Sequence, residues 1–407
     1  MRRGFGLSRR AEEIPPFLAM DVLARARRLE EQGRSIIHLE VGDPDFPSPP
    51  DVVEAGRRAL AEGRTHYTEA LGIPRLREAI ARRYFTLHGV EVSPERIVVG
   101  SGSSPLLTML ALAILDPGDE VLVPDPGYSC YPNYVRAAGG VPVQVDAGEA
   151  FGYRLSVEAL ERAVTNRTKA LIVNSPANPT GVVYHPDELR QLTAWAAEKG
   201  LWLISDEIYH GLSDRPVEPT ALRFDPHAIV VDGFSKRFAM TGWRLGWCVV
   251  PEELAWPLMK LQQNLMVCAP AAAQEAGIVA LEQGEGHTRA MAEELRRRRR
   301  TLLAGLERLG WPVAGRPEGA FYVLADVRSV ATDSRRFAVQ LLDHAGVALT
   351  PGIDFGPRAE GHLRFSYAAP VAAIEEAIDR IHGFLQGAQA AAGGAGETAG
   401  RTRVAPK

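Results

Sequence analysis

Residues 233–247 read Gly-Phe-Ser-Lys-Arg-Phe-Ala-Met-Thr-Gly-Trp-Arg-Leu-Gly-Trp, and this stretch says most about the fold and its chemistry. Lys236 follows a serine, and Arg244 lies eight positions later between Gly242 and Gly246. A lysine amine can condense with an aldehyde, and an arginine with a nearby hydroxyl can hold a phosphate by charge-assisted hydrogen bonds. Glycines let the backbone approach a bulky ligand. The stretch therefore indicates a covalently held, phosphorylated aldehyde cofactor, for which pyridoxal phosphate is the obvious candidate.

The length and composition of the chain exclude several classes of protein. A chain of 407 residues is expected to form two domains or one large domain with a satellite. Its net charge of −4 argues against a nucleic-acid surface. The three cysteines are too few for a disulfide framework and lack metal-ligand spacing, so we expect no metal site and a reducing, cytoplasmic setting. The basic start has no apolar core of a secretory signal, and no run is long enough to span a membrane.

Apolar runs of strand length alternate with helical stretches between residues 96 and 250. This alternation predicts an α/β fold, in which a large domain holds a mostly parallel sheet covered by helices on both faces. The predicted strands, seven in number, are Ile97–Val99, Glu120–Pro124, Val141–Val145, Ala170–Asn174, Trp202–Ser205, Ala228–Gly233 and Trp247–Val250.

Helical periodicity and turn residues predict the remaining elements. They are an amphipathic helix over 16–32, a strand Ile36–Val41, a helix capped by Asp51 and ending near Glu62, a helix Ile73–His88, a helix over 252–266, and a helix Ala271–Leu309 broken near Gly284 and Gly286. Arg296–Arg300 is a run of five arginines, which we interpret as a solvated helix face rather than an anion site.

The domain boundaries follow from these elements. We predict a flexible N-terminus (1–14), a segment that joins the small domain (15–45), a large cofactor-binding domain (46–285), a smaller α+β domain (286–386) and a disordered Ala/Gly-rich tail (387–407).

Two motifs follow predicted strands, where open α/β sheets place their ligands. Gly100–Ser104 precedes a helix whose free N–H groups suit a phosphate, although an ordinary turn with a serine cap would look the same. Asn174–Gly181 contains two prolines and a glycine that can aim Asn178 inward, and its amide could donate to a phenolate oxygen. A purely structural turn remains the alternative there.

Two further motifs carry charge. Asp206 ends a buried apolar strand, so its carboxylate needs a cationic partner such as a protonated pyridine nitrogen, and Tyr209 could reach the same ring. A helix cap by Asp206 is the alternative. Arg364 lies in the strand-like run Leu363–Tyr367 beside a loop rich in glycine and proline. Its guanidinium could grip a carboxylate with two hydrogen bonds, or it could be a surface arginine on an edge strand.

Taken in order, these motifs resemble the class I/II aminotransferases among the fold-type I pyridoxal-phosphate enzymes, the aspartate aminotransferase superfamily. The resemblance covers roughly residues 15–385. Its motifs are Gly42–Phe46, Tyr67 followed by Gly72, the Ser/Gly loop, Asn-Pro-Thr-Gly, Ser-Asp-Glu-Ile-Tyr, Ser-Lys with Gly-x-Arg-x-Gly, and Leu-Arg-Phe-Ser.

The resemblance implies a role for each matched residue. Lys236 forms the internal aldimine (a Schiff base) and moves the proton, while Asp206 pairs with the pyridine nitrogen. The other roles are as follows: Asn178 and Tyr209 bond the phenolic oxygen, Tyr128 stacks on the ring, Ser103, Ser104, Ser235 and Arg244 hold the phosphate, Tyr67 reaches the site of the neighbouring subunit in a homodimer, and Gly42, Asn178 and Arg364 bind the substrate carboxylate.

The implied activity is the transfer of an amino group between an α-amino acid and a 2-oxo acid by a ping-pong mechanism. Another pyridoxal-phosphate reaction on the same fold, by a β-lyase, decarboxylase or synthase, needs the same cofactor residues and stays an alternative. A transcription regulator would need a DNA-binding module, and we expect no room for one before residue 16. Ile14, Phe17, Leu18 and Met20 hint at an apolar or aromatic substrate pocket, although helix packing also explains them.

Overall fold

A computed structural model describes residues 6–397, with side chains to residue 387. In this part of the chain the helices are α1 (Arg9–Glu13), α2 (Leu18–Glu31), α3 (Pro50–Ala61), α4 (Pro74–His88), α5 (Ser103–Ile114), α6 (Tyr131–Ala137), α7 (Val157–Ala163), α8 (Pro186–Glu198), α9 (Glu252–Leu265), α10 (Ala271–Gln283), α11 (Glu285–Arg308), α12 (Ser334–Gln340) and α13 (Val371–Glu397).

The strands of the same part are β1 (Ile37–His38), β2 (Ile97–Gly100), β3 (Glu120–Asp125), β4 (Val141–Asp146), β5 (Thr168–Asn174), β6 (Trp202–Asp206), β7 (Ile229–Gly233), β8 (Gly246–Val249), β9 (Tyr322–Asp326), β10 (Val347–Ala348), β11 (Thr350–Pro351) and β12 (His362–Ser366).

The predicted sheet is confirmed: β2 to β8 form one seven-stranded sheet in the order β2-β8-β7-β6-β5-β3-β4. Neighbouring strands run parallel from β4 to β7, and β8 is antiparallel to both β7 and β2. Alternate residues face different cores, since Ile97 and Val99 pack in one apolar cluster and Val98 in another. Strands buried on both faces read as continuous apolar runs, which is why the sequence revealed them.

A smaller sheet, in the order β11-β12-β9, belongs to the C-terminal part of the chain. The N-terminal segment packs there: β1 pairs with β10 in register Ile37↔Val347, and the Leu18 amide donates to Asp354 Oδ1 at 3.0 Å. Strand β1 has two residues instead of the six predicted over Ile36–Val41, because β10, its partner, is itself only two residues long. The domain boundaries at residues 45, 285 and 386 stay a prediction.

The chain termini differ from expectation where the structure describes them. Helix α1 forms within the supposedly flexible segment 1–14, because Ser8 Oγ accepts from the Ala11 amide at 3.3 Å and Arg10 donates to the Ala137 carbonyl at 3.0 Å. Helix α13 continues to Glu397, past the start of the predicted tail at residue 387, since alanine favours the helix. Residues 1–5 and 398–407 lie outside the described part.

Two local expectations are wrong. Asp51 does not cap α3, because Pro50 already occupies the first helical position, where its missing N–H costs nothing. The arginine run is not one solvated face. Arg298 is buried, donates to Asp45 at 2.6 Å and lies 4.6 Å above the Phe46 ring centre. Five consecutive residues exceed one helical turn of about 3.6 residues, so one of them must face inward.

Among the described residues, none of the helices combines the length and the apolarity that crossing a lipid bilayer requires.

Candidate active site

A cavity of about 200 Å³ opens at the carboxyl ends of the parallel strands. Strands β5 and β6 end there at Asn174 and Asp206, and the chain leaving β7 brings Lys236 to the same edge. Parallel strands align their ends, which is how motifs distant in sequence meet. The predicted residues that line this cavity are Gly42, Ser103, Ser104, Tyr128, Asn178, Asp206, Tyr209, Ser235, Lys236, Arg244 and Arg364.

The amine of Lys236 lies inside the cavity. Its Nζ donates to the Gly42 carbonyl oxygen at 2.6 Å. Burial lowers the pKa of Lys236 to about 8; the carboxylate of Asp43 opposes this, while the positive charges of Arg364 and Arg244 add to it. A substantial fraction of the amine is therefore neutral near physiological pH, and only a neutral amine is a nucleophile.

Asp206 ends β6 as a buried carboxylate. Its Oδ2 accepts from the Tyr131 hydroxyl at 2.7 Å, and its Oδ1 accepts from the Ile208 amide at 3.2 Å. Burial raises the pKa of Asp206 to about 6, although these two hydrogen bonds and the charge of Lys236 oppose the rise. Turns, and no helix, follow Asp206, so the alternative of a helix cap does not hold. The carboxylate faces the cavity and could bind a cation there.

Arg364 is buried in β12, the middle strand of the small sheet, and is therefore no edge-strand surface residue. Its Nη1 donates to Asn178 Oδ1 at 3.0 Å, and its Nη2 donates to the Glu40 carbonyl and to Thr350 Oγ1. Its buried Nε has no hydrogen-bond partner among the described residues. Its guanidinium carbon lies 4.4 Å from the ring centre of Tyr322, so the group is held rigidly at the cavity wall.

The turn before α5 and the loop after β7 meet at Gly102 and Arg244. Gly102 has φ +98°, and a Cβ there would lie 2.6 Å from Arg244 Nη2. Arg244 itself adopts a left-handed backbone with φ +54°. The guanidinium thus lies over the start of α5, where Ser103, Ser104 and the free N–H groups of the helix also face the cavity. Such a combination suits a phosphate.

Aromatic side chains close the other walls. The Tyr209 hydroxyl lies 3.0 Å from that of Tyr322. The Tyr128 ring makes edge contacts with Tyr131 and Phe17, at ring-centre distances of 5.2 and 6.1 Å.

The N-terminal apolar side chains divide between two places. Phe17 and Met20 line the cavity, whereas Leu18 lines a separate surface depression. The hint of an apolar wall therefore holds for Phe17 and Met20. Ile14 does not line the cavity.

Tyr67 is the one predicted site residue that lies apart from the cavity. Its side chain is 82% exposed in the single chain. Its assignment to a neighbouring subunit's site stays a prediction.

Sequence reasoning missed Tyr131, Tyr322 and Thr241, which also line the cavity. Tyr131 lies three positions after Tyr128 in the same aromatic run, so a helical turn starting there could have suggested it. Tyr322 has no such local signal. Pairing of β9 with β12 brings it beside Arg364, and that pairing is not visible in either segment alone.

The donor set fits a phosphorylated pyridine aldehyde. The cavity offers an amine for the aldehyde and a buried carboxylate for a ring nitrogen. A guanidinium with hydroxyls at a helix N-terminus suits the phosphate. The glycine at position 102, where a Cβ would displace Arg244, keeps this phosphate cradle open.

Comparison with known proteins agrees with this chemistry. Residues 34–381 match the family described as aminotransferase class I and II. The chain is 41% identical to (5-formylfuran-3-yl)methyl phosphate transaminase of Methanocaldococcus jannaschii, over 93% of this chain and 99% of that protein. It is 43% identical to aspartate/prephenate aminotransferase of Thermus thermophilus, over 92% and 98%.

Solved structures give the same result. Aspartate aminotransferase of Thermus thermophilus with maleate matches with a TM-score of 0.89 at 42% identity, over 93% of this chain and 99% of that one. An aminotransferase of Mycobacterium tuberculosis matches with a TM-score of 0.90 at 37% identity, over 94% and 100%. The chain therefore belongs to the class I and II aminotransferases and is a pyridoxal-phosphate-dependent enzyme that transfers an amino group between an amino acid and an oxo acid.

Proposed function

We propose that Lys236 is the covalent attachment point of the cofactor and that its amine, once released by the substrate, carries the proton away from the substrate Cα. The observation that carries this assignment is the buried Nζ with its lowered pKa, in the same cavity as Asp206 and Arg364. A base with a pKa near the working pH transfers protons in both directions efficiently. The Gly42 carbonyl, 2.6 Å from Nζ, orients the amine.

Pyridoxal phosphate, when bound, supplies an electron sink for the charge left on Cα. In our assignment Asp206 would accept a hydrogen bond from the protonated ring nitrogen and would keep that proton in place. The Tyr131 hydroxyl, 2.7 Å from Oδ2, and the Ile208 amide hold the carboxylate ionised and oriented. Asn178 and Tyr209 would donate to the phenolic oxygen, and Tyr128 would stack on the ring.

The phosphate group would be held by Arg244 with Ser103, Ser104 and Ser235. Support comes from the position of the Arg244 guanidinium over the N-terminus of α5, where the helix dipole also favours an anion.

The substrate α-carboxylate would be held by Arg364, with help from the Gly42 backbone and Asn178. Arg364 is buried and rigidly packed over Tyr322, and its Nε has no partner in the part of the chain that the structure describes. A desolvated guanidinium binds a carboxylate strongly and with fixed geometry.

We also propose a homodimer in which Tyr67 of each subunit completes the site of the other. The support is that Tyr67 is a large side chain left 82% exposed in the single chain. Mixed dimers of Lys236→Ala and Tyr67→Ala subunits test it. If the subunits share residues, each mixed dimer has one site with both Lys236 and Tyr67, and activity is restored. Activity no higher than that of the two parent variants would contradict sharing.

The proposed location is the cytoplasm. Its support is that Cys130, Cys248 and Cys268 are all free thiols. Fractionation of the source cells with antibody detection would check this, and recovery in a secreted fraction would contradict it.

The function is tested by a half-reaction. Purified holoenzyme is mixed with single amino acids in the absence of any oxo acid, and the oxo acid formed is quantified. Transfer of the amino group to the enzyme predicts one oxo acid per active site. Release of ammonia, carbon dioxide or a side-chain fragment would instead indicate a lyase, decarboxylase or synthase. Lys236→Ala should abolish the reaction, while Lys199→Ala, whose side chain is 32% exposed on the surface, should not.

A further inference from the structure

A second cavity, of about 480 Å³, lies behind the two catalytic motifs. Glu207 and Arg237, the chain neighbours of Asp206 and Lys236, turn away from the active site and line this second cavity. The second cavity is also lined by Arg83 of α4, His210 after β6 and Arg289 of α11. The transamination chemistry uses none of these side chains.

Buried nitrogen atoms in this cavity lack partners. His210 is 5% exposed, its Nδ1 lies 3.5 Å from Glu207 Oε2, and its Nε2 has no hydrogen-bond partner among the described residues. Arg237 is 4% exposed, donates through Nη1 to the His210 carbonyl and through Nη2 to Glu285, and has an equally unpartnered Nε. Unsatisfied buried donors are costly and therefore rare, and they indicate a missing acceptor.

Arg83 adds a further cation at the same place. Its side chain is 11% exposed, and its nearest ion pair, with Glu285, is long at 3.9 Å. In the described part of the chain its guanidinium makes no hydrogen bond within the usual distance. Burial lowers the pKa of Arg83 to about 10, which still leaves it charged at neutral pH.

Two of the acidic side chains here, Glu207 and Asp232, offset less charge than their number suggests, whereas Glu285 stays ionised because Arg237 and Arg83 lower its pKa against the effect of burial. Burial raises the pKa of Glu207 to about 8 and that of Asp232 to about 7, so both carry a proton for much of the time at neutral pH. Burial likewise lowers the pKa of His210 to about 3, so the imidazole is neutral. Glu207 Oε2 lies 3.5 Å from Nδ1, and a proton on this oxygen would leave the hydrogen of the imidazole on Nε2. Glu218 Oε1 already accepts a hydrogen bond from the Gly211 amide at 2.9 Å.

We propose that this second cavity binds a small oxyanion, a phosphate or carboxylate group, through the Arg83 guanidinium, the His210 Nε2–H and the Arg237 Nε–H. The ligand joins α4, the turn after β6 and the first turns of α11. It thereby stabilises the segments that carry Asp206 and Lys236, which adjoin Glu207 and Arg237 in the chain. The site does not depend on the cofactor or on the residue roles proposed above.

The test measures binding to the holoenzyme, in which the cofactor phosphate already fills its own site. Inorganic phosphate and, separately, succinate are titrated by calorimetry at constant ionic strength set with sodium chloride. We expect at least one of them to bind and to raise the unfolding temperature. Binding of phosphate alone identifies a phosphorylated ligand, and binding of succinate alone identifies a carboxylate.

Arg83→Gln is the test variant, and Arg82→Gln, on the same helix with a side chain that is 60% exposed, is its matched control. Loss of a charged hydrogen-bond donor predicts binding about 10- to 100-fold weaker in Arg83→Gln and unchanged in Arg82→Gln. His210→Leu, which removes the Nε2–H, should weaken binding similarly and serves if Arg83→Gln does not fold. The proposal is overturned if neither anion binds the wild-type enzyme, if the folded test variants bind as the wild type does, or if Arg364→Ala abolishes binding, which would place the anion in the active site.

Discussion

The Nζ of Lys236 donates to the carbonyl oxygen of Gly42 at 2.6 Å, across a separation of 194 residues. Gly42 fits only as glycine, because a Cβ there would lie 1.7 Å from the Tyr322 hydroxyl. The same hydroxyl lies 3.0 Å from that of Tyr209. The N-terminal segment therefore contacts the lysine directly, and residues from three distant parts of the chain meet in the cavity that holds the amine.

The lowered pKa of Lys236 predicts how covalent attachment of the cofactor depends on pH. The neutral fraction of the amine increases about tenfold per pH unit below a pKa of about 8 and levels off above it. The rate at which cofactor-free enzyme attaches pyridoxal phosphate should follow this curve when measured by stopped-flow absorbance. A rate that keeps rising to the pKa of an ordinary lysine would contradict the assignment.

The lowered pKa of Lys236 also makes the stability of the cofactor-free enzyme depend on pH. Lys236 has a lower pKa folded than unfolded, so between the two values the unfolded chain binds more protons. The cofactor-free enzyme should therefore gain stability as pH rises from about 8 toward about 10.5, to the extent that this one group contributes. In Lys236→Met this gain should be absent in denaturant titrations.

Asp206→Asn should slow transamination about 100-fold or more while the protein stays folded, because it removes the charge that faces the ring nitrogen but keeps the shape. Asp187→Asn, whose side chain is 78% exposed, is the control and should leave the rate unchanged. Steady-state rates with a fixed donor and acceptor measure both variants. Near-normal turnover of Asp206→Asn would show that the carboxylate is structural.

Arg364→Ala should raise KM for the amino acid about 10- to 100-fold, the cost of one lost charged hydrogen bond, with little loss of bound cofactor. Arg328→Ala, at an exposed ion pair with Asp326, provides the comparison and should behave as the wild type does. KM and cofactor content per subunit are the two readouts. If cofactor is lost while KM is unchanged, Arg364 acts elsewhere than at the substrate carboxylate.

Gly102→Ala and Gly118→Ala form a matched pair for the phosphate cradle. Both glycines have a left-handed backbone, with φ +98° and +93°, so each alanine should cost about 1–2 kcal/mol of stability. Only at Gly102 does the new Cβ meet Arg244, at 2.6 Å, whereas at Gly118 nothing lies within 4 Å. Titration of the cofactor-free proteins should therefore show weakened cofactor binding in Gly102→Ala alone, and equal affinities would contradict the role of Arg244.

Much of this arrangement could be predicted from sequence. Most strands from β2 to β8 are apolar runs that bury both faces, the partly exposed edge strand β4 being the exception. Most site residues lie in the turns directly after these strands, so local patterns revealed both. The resemblance of the motifs to one family then predicted that these turns form a single site.

What escaped prediction depends on contacts between distant segments. The short β1 exists only through its pairing with β10. Tyr322 reaches the cavity through the pairing of β9 with β12. Arg298 is buried because its guanidinium binds Asp45 and packs over the Phe46 ring, both distant in sequence. No pattern within any one of these segments encodes its partner.

The central claim is that Lys236 binds the cofactor, and chemical trapping tests it most directly. Holoenzyme is reduced with borohydride, which makes a lysine–cofactor bond permanent, and is then digested and analysed by mass spectrometry. We predict a pyridoxyl group on the peptide that contains Lys236 and on no other lysine. A modified Lys169, Lys199, Lys260 or Lys407, or no modified peptide from active holoenzyme, would contradict it.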